Sequence, residues 1–188
     1  GGGKLHLAVF AGAWSGVEDS FCSQPSIAAK SRCREHEQLA SCRFFGLSEE
    51  SVYFLRMRED SAGNIMDLEK NFQILNSLVK NIQPDLIFMP HGNDTNPDHR
   101  LARAMVARFN IPVLCHRDPK TIAMQDELIT WFDKDEADWK AELLRCHRSQ
   151  HQRNLNTRGH GFDERILKVN NLIANKLGGK SLYAESFN

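Results

Sequence analysis

The run PHGNDTNPDHR, residues 90–100, places two histidines, two aspartates and two asparagines between an apolar segment and a helix-like segment. Imidazole and carboxylate groups are the side chains that bind divalent metals or transfer protons. Asn96 is a good helix N-cap and Pro97 fits the first helical position, which puts Asp98 and His99 in the first turn. A histidine there is disfavoured as a cation and favours the neutral form that a metal or a general base requires. These residue types fit a chemical site and, equally well, a capped polar loop.

The predicted elements put this run at the carboxyl end of a strand. Residues 85–90, DLIFMP, predict a buried strand, and residues 97–109 predict a helix. Strands and helices alternate along the chain, which indicates a Rossmann-like α/β fold, a mostly parallel sheet flanked by helices, in one domain over residues 1–188. Such sheets bind ligands at the carboxyl ends of their strands. The remaining predicted strands cover 5–12, 51–57 and 111–114, the remaining helices cover 27–45, 66–82, 135–150 and 162–179, and 13–26 and 151–161 are predicted loops.

Composition argues against several classes of function. The chain has 24 basic and 24 acidic residues, so it lacks the basic excess of a general nucleic-acid binder. No run of apolar residues is long enough to predict a membrane span. Five widely spread cysteines fit a reduced, cytoplasmic protein. A dehydrogenase is disfavoured because no G-x-G-x-x-G follows the strand at 5–12.

Several segments, taken in order, resemble one family. DTNPDHRLA, which begins at Asp94, resembles the D-x-(H/N)-x-D-H-R motif of the GlcNAc-phosphatidylinositol de-N-acetylases, the PIG-L or LmbE-like family. Four further matches stand in the family's order: RCREHEQLASCRFFGL (32–47) with Arg34 and Glu37, QPDLIFMP (83–90), WKAELLRCHRSQ (139–150) with Lys140, His147, Ser149 and Gln150, and YAESF (183–187). The resemblance covers most of residues 5–188.

The resemblance implies a hydrolase that removes an N-acetyl group from a small amino-sugar conjugate with the help of Zn²⁺ or another divalent metal. It implies that His99 is a metal ligand and that Asn96, where the family often has histidine, stabilises the oxyanion. Asp94 would orient a neighbouring group. Asp98 would cap its helix and orient a side chain rather than bind the metal. Arg34 has two open interpretations from its residue type: its guanidinium binds a substrate hydroxyl or carboxylate, or it is a surface arginine of its helix.

One motif of the family is absent. The A-H-P-D-D-E run, which supplies a histidine and an aspartate to the metal and also the general base, occurs nowhere in the 188 residues. LHLAVFAG (5–12) resembles the family's second strand, so the first strand and its metal loop are expected to lie outside this sequence. The alternative is a non-catalytic sugar- or nucleotide-binding α/β module that has lost the metal loop. The polar C-terminal third could carry a homo-oligomer interface.

Overall fold

The protein is a mixed α/β chain, seen here in a computed structural model that describes residues 2–188. The strands are β1 (Leu7–Val9), β2 (Val52–Phe54), β3 (Ile87–Pro90), β4 (Val113–His116), β5 (Leu128–Phe132) and β6 (Tyr183–Phe187). The helices are α1 (Ile27–Phe45), α2 (Glu69–Ile82), α3 (Pro97–Val106), α4 (Lys134–Arg145), α5 (Arg148–Arg158) and α6 (Phe162–Lys176). The predicted α/β class is confirmed. Over the described residues, no helix has the length and apolar character needed to cross a membrane.

The chain divides into two compact units. Unit 1 runs to Met66 and resumes at Lys140–Asp163, and unit 2 comprises Asp67–Trp139 and Glu164–Asn188. The prediction that residues 1–188 form a single domain stays a prediction.

Unit 1 contains a parallel pair of strands and the long helix α1. In the pair, Leu7 of β1 lies opposite Val52 of β2. Helix α1 begins after Ser26, whose Oγ accepts a hydrogen bond from the backbone N of Ala29 at 3.1 Å, and it ends at Gly46. Gly46 has a φ of 85°, a left-handed conformation that glycine adopts without a steric cost and that closes the predicted helix where expected.

Unit 2 contains a four-stranded sheet in the order β3-β4-β6-β5. Strands β3 and β4 are parallel, whereas β6 runs antiparallel to both of its neighbours. The sheet's core against α6 is built on Ile173, Ala174 and Ala184, which are at most 6% exposed. The parallel β3–β4 pair brings the segments that follow both strands to one edge of this sheet.

The structure corrects three details of the sequence interpretation. The helix predicted over 135–150 ends at Arg145, and residues 151–161, predicted as a loop, belong largely to α5. Strands β5 and β6 were not predicted from the sequence. Helix α5 escapes a search for apolar periodicity because Leu155 is its one apolar residue.

Among residues 2–188, both sheets end in strands that are paired on one side only. Strand β3 is an outer strand of the four-stranded sheet, and β1 has β2 as its neighbour within a two-stranded sheet. Parallel strands are usually paired on both sides and covered on both faces. The prediction that a first strand and its metal loop lie outside the 188 residues stays a prediction.

Candidate metal centre

The segment between β3 and α3 is fixed by short local hydrogen bonds. The Asn96 side-chain Oδ1 accepts a hydrogen bond from the backbone N of Asp98 at 3.1 Å, and Pro97 occupies the first helical position. The backbone N of Asn96 donates to Oδ1 of Asp94 at 2.7 Å. The predicted cap is therefore confirmed, and it places His99 in the first turn of α3.

His99 and Asp94 form a close pair. The Nδ1 of His99 lies 3.0 Å from Oδ2 of Asp94, and the two side chains are 22% and 0% exposed. Because a carboxylate accepts hydrogen bonds, it favours the tautomer in which Nδ1 carries the proton. The lone pair of Nε2 is then available to a metal, an arrangement common among histidine ligands.

A second loop meets this segment and brings in Asp118, which follows β4. Backbone hydrogen bonds join Thr95 N to Lys120 O at 3.0 Å and Ile122 N to Asn93 O at 2.9 Å. An isolated antiparallel bridge pairs Asp94 with Thr121. As a result, one potential ligand atom from each of Asp94, His99 and Asp118 lies within 4.8 Å of the others.

The donor set fits a divalent metal. Imidazole and carboxylate are ligands that zinc and related divalent ions accept. Asp94 is a fully buried carboxylate whose side-chain contacts are a backbone N–H and His99. A buried carboxylate is costly unless it is paired or lies near a cation, and here a metal on His99 would balance the charge.

Sequence reasoning missed Asp118. It belongs to none of the motifs, and it is brought to His99 by the pairing of the two loops. A weak signal was present, because an aspartate follows β4 as Asp94 follows β3, and the carboxyl ends of adjacent parallel strands meet at one edge.

His91 and Gly92 shape the start of the same loop. Nδ1 of His91 accepts a hydrogen bond from Asn93 N at 3.1 Å. Burial and the nearby guanidinium groups of Arg103 and Arg117 lower the pKa of His91, which favours its neutral form. A Cβ on Gly92 would approach Arg103 Cγ to 2.7 Å, so the loop lies against α3 at a distance that requires glycine.

Arg34, the predicted substrate-binding residue, lies in a polar cluster of unit 1. Its Nη1 contacts Oε2 of Glu37 at 2.5 Å and Nδ1 of His147 at 3.4 Å. Glu37, 7% exposed, also accepts hydrogen bonds from the N and Oγ of Ser149, at 2.5 and 2.8 Å. Helix α1 is thereby joined to the first turn of α5. The cluster unites the R-x-x-E and H-x-S-Q motifs, which are far apart in sequence.

His147 in this cluster is held neutral. Burial, followed by the positive charge of Arg34, lowers the pKa of His147 to about 4, although Glu37 opposes the shift. A neutral ring can accept the hydrogen bond from Arg34, which a protonated ring could not.

The structure thus brings Asp94, Asn96, Asp98 and His99 together in one loop and helix turn, and it places Arg34 in unit 1. The catalytic, substrate-binding and metal roles of these five residues stay predictions.

Comparison with known proteins identifies the sequence family. The family profile described as GlcNAc-PI de-N-acetylase, PIG-L, matches residues 6–110, more than half of the chain. No curated protein sequence matches the chain.

Three solved structures show where the fold recurs. N,N'-diacetylchitobiose deacetylase from Pyrococcus horikoshii is 19% identical, with a TM-score of 0.70 over 95% of this chain and 69% of that chain. The zinc-inhibited form of teicoplanin deacetylase is 15% identical, with a TM-score of 0.59 over 85% of this chain and 73% of that one. The 4-carboxy-2-hydroxymuconate hydratase from Pseudomonas putida is 16% identical, with a TM-score of 0.70 over 97% and 82%. The same fold therefore serves both deacetylases and a hydratase, so the reaction must be argued from the site.

Proposed function

Because the chain belongs to the GlcNAc-PI de-N-acetylase family, we propose that it is a metal-dependent hydrolase acting on an N-acetylglucosamine-type sugar or conjugate. It would remove the N-acetyl group. The observation that carries the proposal is the pair formed by His99 and the buried Asp94 at the N-terminus of α3, with Nδ1 and Oδ2 3.0 Å apart. The position of the pair at the carboxyl end of β3 supports metal binding by His99, because open α/β sheets bind ligands there.

His99 would hold the metal through Nε2, and Asp94 would fix the ring by accepting from Nδ1. When bound, a divalent metal would polarise the amide carbonyl and lower the pKa of a water molecule. The family's two other ligands belong to the A-H-P-D-D-E motif, which the 188 residues do not contain.

Asn96 is proposed to stabilise the oxyanion that forms when the amide is attacked. Its Oδ1 is occupied by the cap to Asp98, and this hydrogen bond fixes the side-chain amide so that Nδ2 remains as a donor. An amide donates a hydrogen bond but carries no transferable proton, so Asn96 would not act as a general acid. Asp98, in the first turn, is proposed to hold the helix end and to orient a neighbouring side chain.

Arg34 is proposed to bind a substrate hydroxyl or carboxylate. The Arg34 side chain is 19% exposed, and its guanidinium is held on one nitrogen, Nη1, by Glu37 and His147. A guanidinium held on one side keeps further N–H donors in a fixed fork, which suits recognition of a planar or vicinal oxygen pair.

The function is tested by acetate release. We expect the natural protein, with any residues that precede Gly1, to release acetate from N,N'-diacetylchitobiose or another N-acetylglucosamine conjugate, and a chelator to abolish the release. His99→Ala should lose both activity and bound metal. Equal metal content in the wild-type and His99→Ala proteins would overturn the assignment of His99.

The same assay separates the enzyme from the non-catalytic module. Saturable sugar binding that a chelator does not change, with no acetate released, would favour the module. The metal is to be varied as well, because one structural relative is described as zinc-inhibited. We therefore compare Zn²⁺, Co²⁺ and Mn²⁺ rather than test zinc alone.

We also propose that the protein is cytoplasmic. All five cysteines are free in the structure, as expected where thiols are kept reduced. Finding the protein secreted, with disulfide bonds among these cysteines, would contradict this location. A homo-oligomer through the C-terminal third stays a prediction, which sedimentation of the purified protein would test.

A further inference from the structure

Asp118 lies at the metal centre although no motif includes it. It is half-buried, and one of its carboxylate oxygens lies within 4.8 Å of a ligand atom of both His99 and Asp94. The deacetylase motif accounts for Asp94 and His99 but leaves Asp118 without a role.

The Asp118 loop is held in place from both sides. Oδ1 of Asp118 accepts a hydrogen bond from Lys120 N at 2.8 Å, and the backbone N of Asp118 donates to Oγ1 of Thr121 at 2.9 Å. Hydrogen bonds at Thr95 and Ile122 then tie this loop to the His99 segment on either side of the Asp94–Thr121 bridge. A metal ligand needs such support, because binding otherwise has to order the loop.

The carboxylates of Asp94 and Asp118 differ in whether an oxygen remains available to a metal. Both oxygens of Asp94 are occupied, Oδ1 by Asn96 N and Oδ2 by Nδ1 of His99, and its side chain is 0% exposed. Asp118 has one oxygen bonded to Lys120 N, and within residues 2–188 its other oxygen has no protein partner. Asp94 is therefore suited to orienting His99, and Asp118 is suited to contacting a metal directly.

The charges of the site also favour a metal. Asp94 and Asp118 place two carboxylates beside His99, and among the described residues neither carboxylate is paired with a lysine or arginine side chain. The nearby Arg100 donates to the backbone O of Asp94 rather than to its carboxylate, with Nη1 and O 2.7 Å apart. A divalent cation would balance these two charges.

We propose that Asp118 is a direct ligand of the divalent metal held by His99, and that Asp94 acts on the metal only through His99. The proposal rests on the proposed function in one respect, since it takes His99 as a metal ligand. The site in this chain would then have one carboxylate ligand from outside the family's motifs.

Metal binding, measured without substrate, tests the proposal. Zn²⁺ would be titrated calorimetrically into the chelator-treated protein, and Co²⁺ binding would be followed by visible absorption, which reports the ligands. Asp118→Asn keeps the acceptor for Lys120 N but removes the charge. Loss of a group that only supports a metal ligand weakens binding by about 10–100-fold. We expect Asp118→Asn to weaken metal binding by at least this much and to change the Co²⁺ spectrum.

Two control variants separate ligation from loop structure and general charge. Thr121→Val removes the hydrogen bond to Asp118 N but leaves the carboxylate, and Asp85→Asn removes an exposed charge from the same unit. Asp85→Asn should bind metal within about threefold of the wild type. Thr121→Val should weaken binding less than Asp118→Asn does and should leave the Co²⁺ spectrum unchanged, because the carboxylate is still present. If Thr121→Val weakens binding as much as Asp118→Asn does, loop order rather than ligation explains the effect and the proposal fails. Should Asp118→Asn not fold, Asp118→Ser, which has an oxygen acceptor but no carboxylate, replaces it, and an unchanged affinity and spectrum would then overturn direct ligation by Asp118.

The outcomes also separate this proposal from the proposed function. Loss of binding in His99→Ala, with wild-type binding in Asp118→Asn, would overturn the role of Asp118 and leave the His99 centre standing. Wild-type binding in both variants, or no binding by the wild-type protein, would overturn both.

Discussion

At the scale of single residues, the buried carboxylate of Asp94 contacts Nδ1 of His99 and is predicted to orient its ring. The pair is connected by one contact of 3.0 Å, and Asp94 also holds the backbone N of Asn96. An asparagine at position 94 could still accept from that backbone N but would no longer fix the protonated Nδ1 by charge. Asp94→Asn tests the orienting role directly.

We expect Asp94→Asn to lower the affinity for Zn²⁺ or Co²⁺ by about 10–100-fold, the usual effect of losing a group that orients a histidine ligand. Calorimetric titration measures the change, and Asp85→Asn is the matched control because Asp85 is exposed. An affinity equal to that of the wild type would show that Asp94 does not act through His99.

His147 gives the protein a stability that depends on pH. Burial lowers the pKa of His147 from 6.5 to about 4 in the folded state. As pH falls from 6.5 toward 4, the unfolded chain therefore binds a proton at His147, whereas the folded protein does not. The contribution of the neutral His147 to the free energy of unfolding is fully present above the unfolded pKa. It declines across this pH window by at most about 3 kcal/mol.

The decline would be measured by urea unfolding between pH 7 and pH 4, both in the wild type and in His147→Gln. The variant has no titrating group at this position, so its free energy of unfolding should vary less over the window. The same pH dependence in both proteins would rule out His147 as the source.

At the scale of elements, the junction of α1 and α5 depends on one carboxylate. Glu37 accepts hydrogen bonds from Arg34 and from both the N and Oγ of Ser149. Glu37→Ala would leave a mostly buried guanidinium and a buried N–H without their partner. We expect a loss of about 3 kcal/mol in the free energy of unfolding.

Urea unfolding measures this loss. Glu50→Ala, at an exposed glutamate of the same unit, should change stability by less than about 0.5 kcal/mol. Glu37→Gln should fall between the two, since an amide still accepts one hydrogen bond. Stability near that of the wild type in Glu37→Ala would mean that other contacts hold α1 and α5.

The start of α3 combines a structural role and a proposed chemical role in Asn96. Asn96→Ser keeps a capping oxygen, whereas Asn96→Ala removes it, and loss of a cap costs about 1 kcal/mol. If Nδ2 also stabilises the oxyanion, both variants should lose about 10²–10³ in kcat, although only Asn96→Ala is destabilised. Full activity in the stable Asn96→Ser protein would assign Asn96 to capping alone.

At the scale of the whole molecule, we predict that the 188-residue chain, which has zero net charge, self-associates through β3, an outer strand among the described residues. The sequence pI is about 7.2, and Phe88 on the outer strand β3 is 58% exposed. A neutral protein repels its copies weakly, and an apolar strand edge is a template for pairing.

We expect Phe88→Lys to reduce self-association at pH 7, as measured by sedimentation over a range of concentrations. Ile122→Lys is the matched control, because Ile122 is 64% exposed but lies outside the named strands. An equal reduction in both variants would attribute the effect to added charge rather than to the strand edge. Loss of the edge contact between the rings of Phe88 and Phe187 should cost about 1 kcal/mol of stability.

The features that the sequence alone determined are local ones. The cap at Asn96 and Pro97, the end of α1 at Gly46 and the first-turn position of His99 each depend on residues within a few positions of one another. The alternation of strands and helices is set in the same way, by local apolar patterns. The order of the motifs along the chain was enough to identify the family, because order needs no knowledge of contacts.

Tertiary structure decided what depends on residues far apart in the sequence. Helix α5 has a single apolar residue, and its first turn is held by Glu37 of α1, so no periodic pattern reveals it. Asp118 reaches His99 only because the loops after β3 and β4 pair with each other. Contacts of this kind are set by strand pairing and packing, whose energies come from the whole fold, and a short stretch of sequence does not record them.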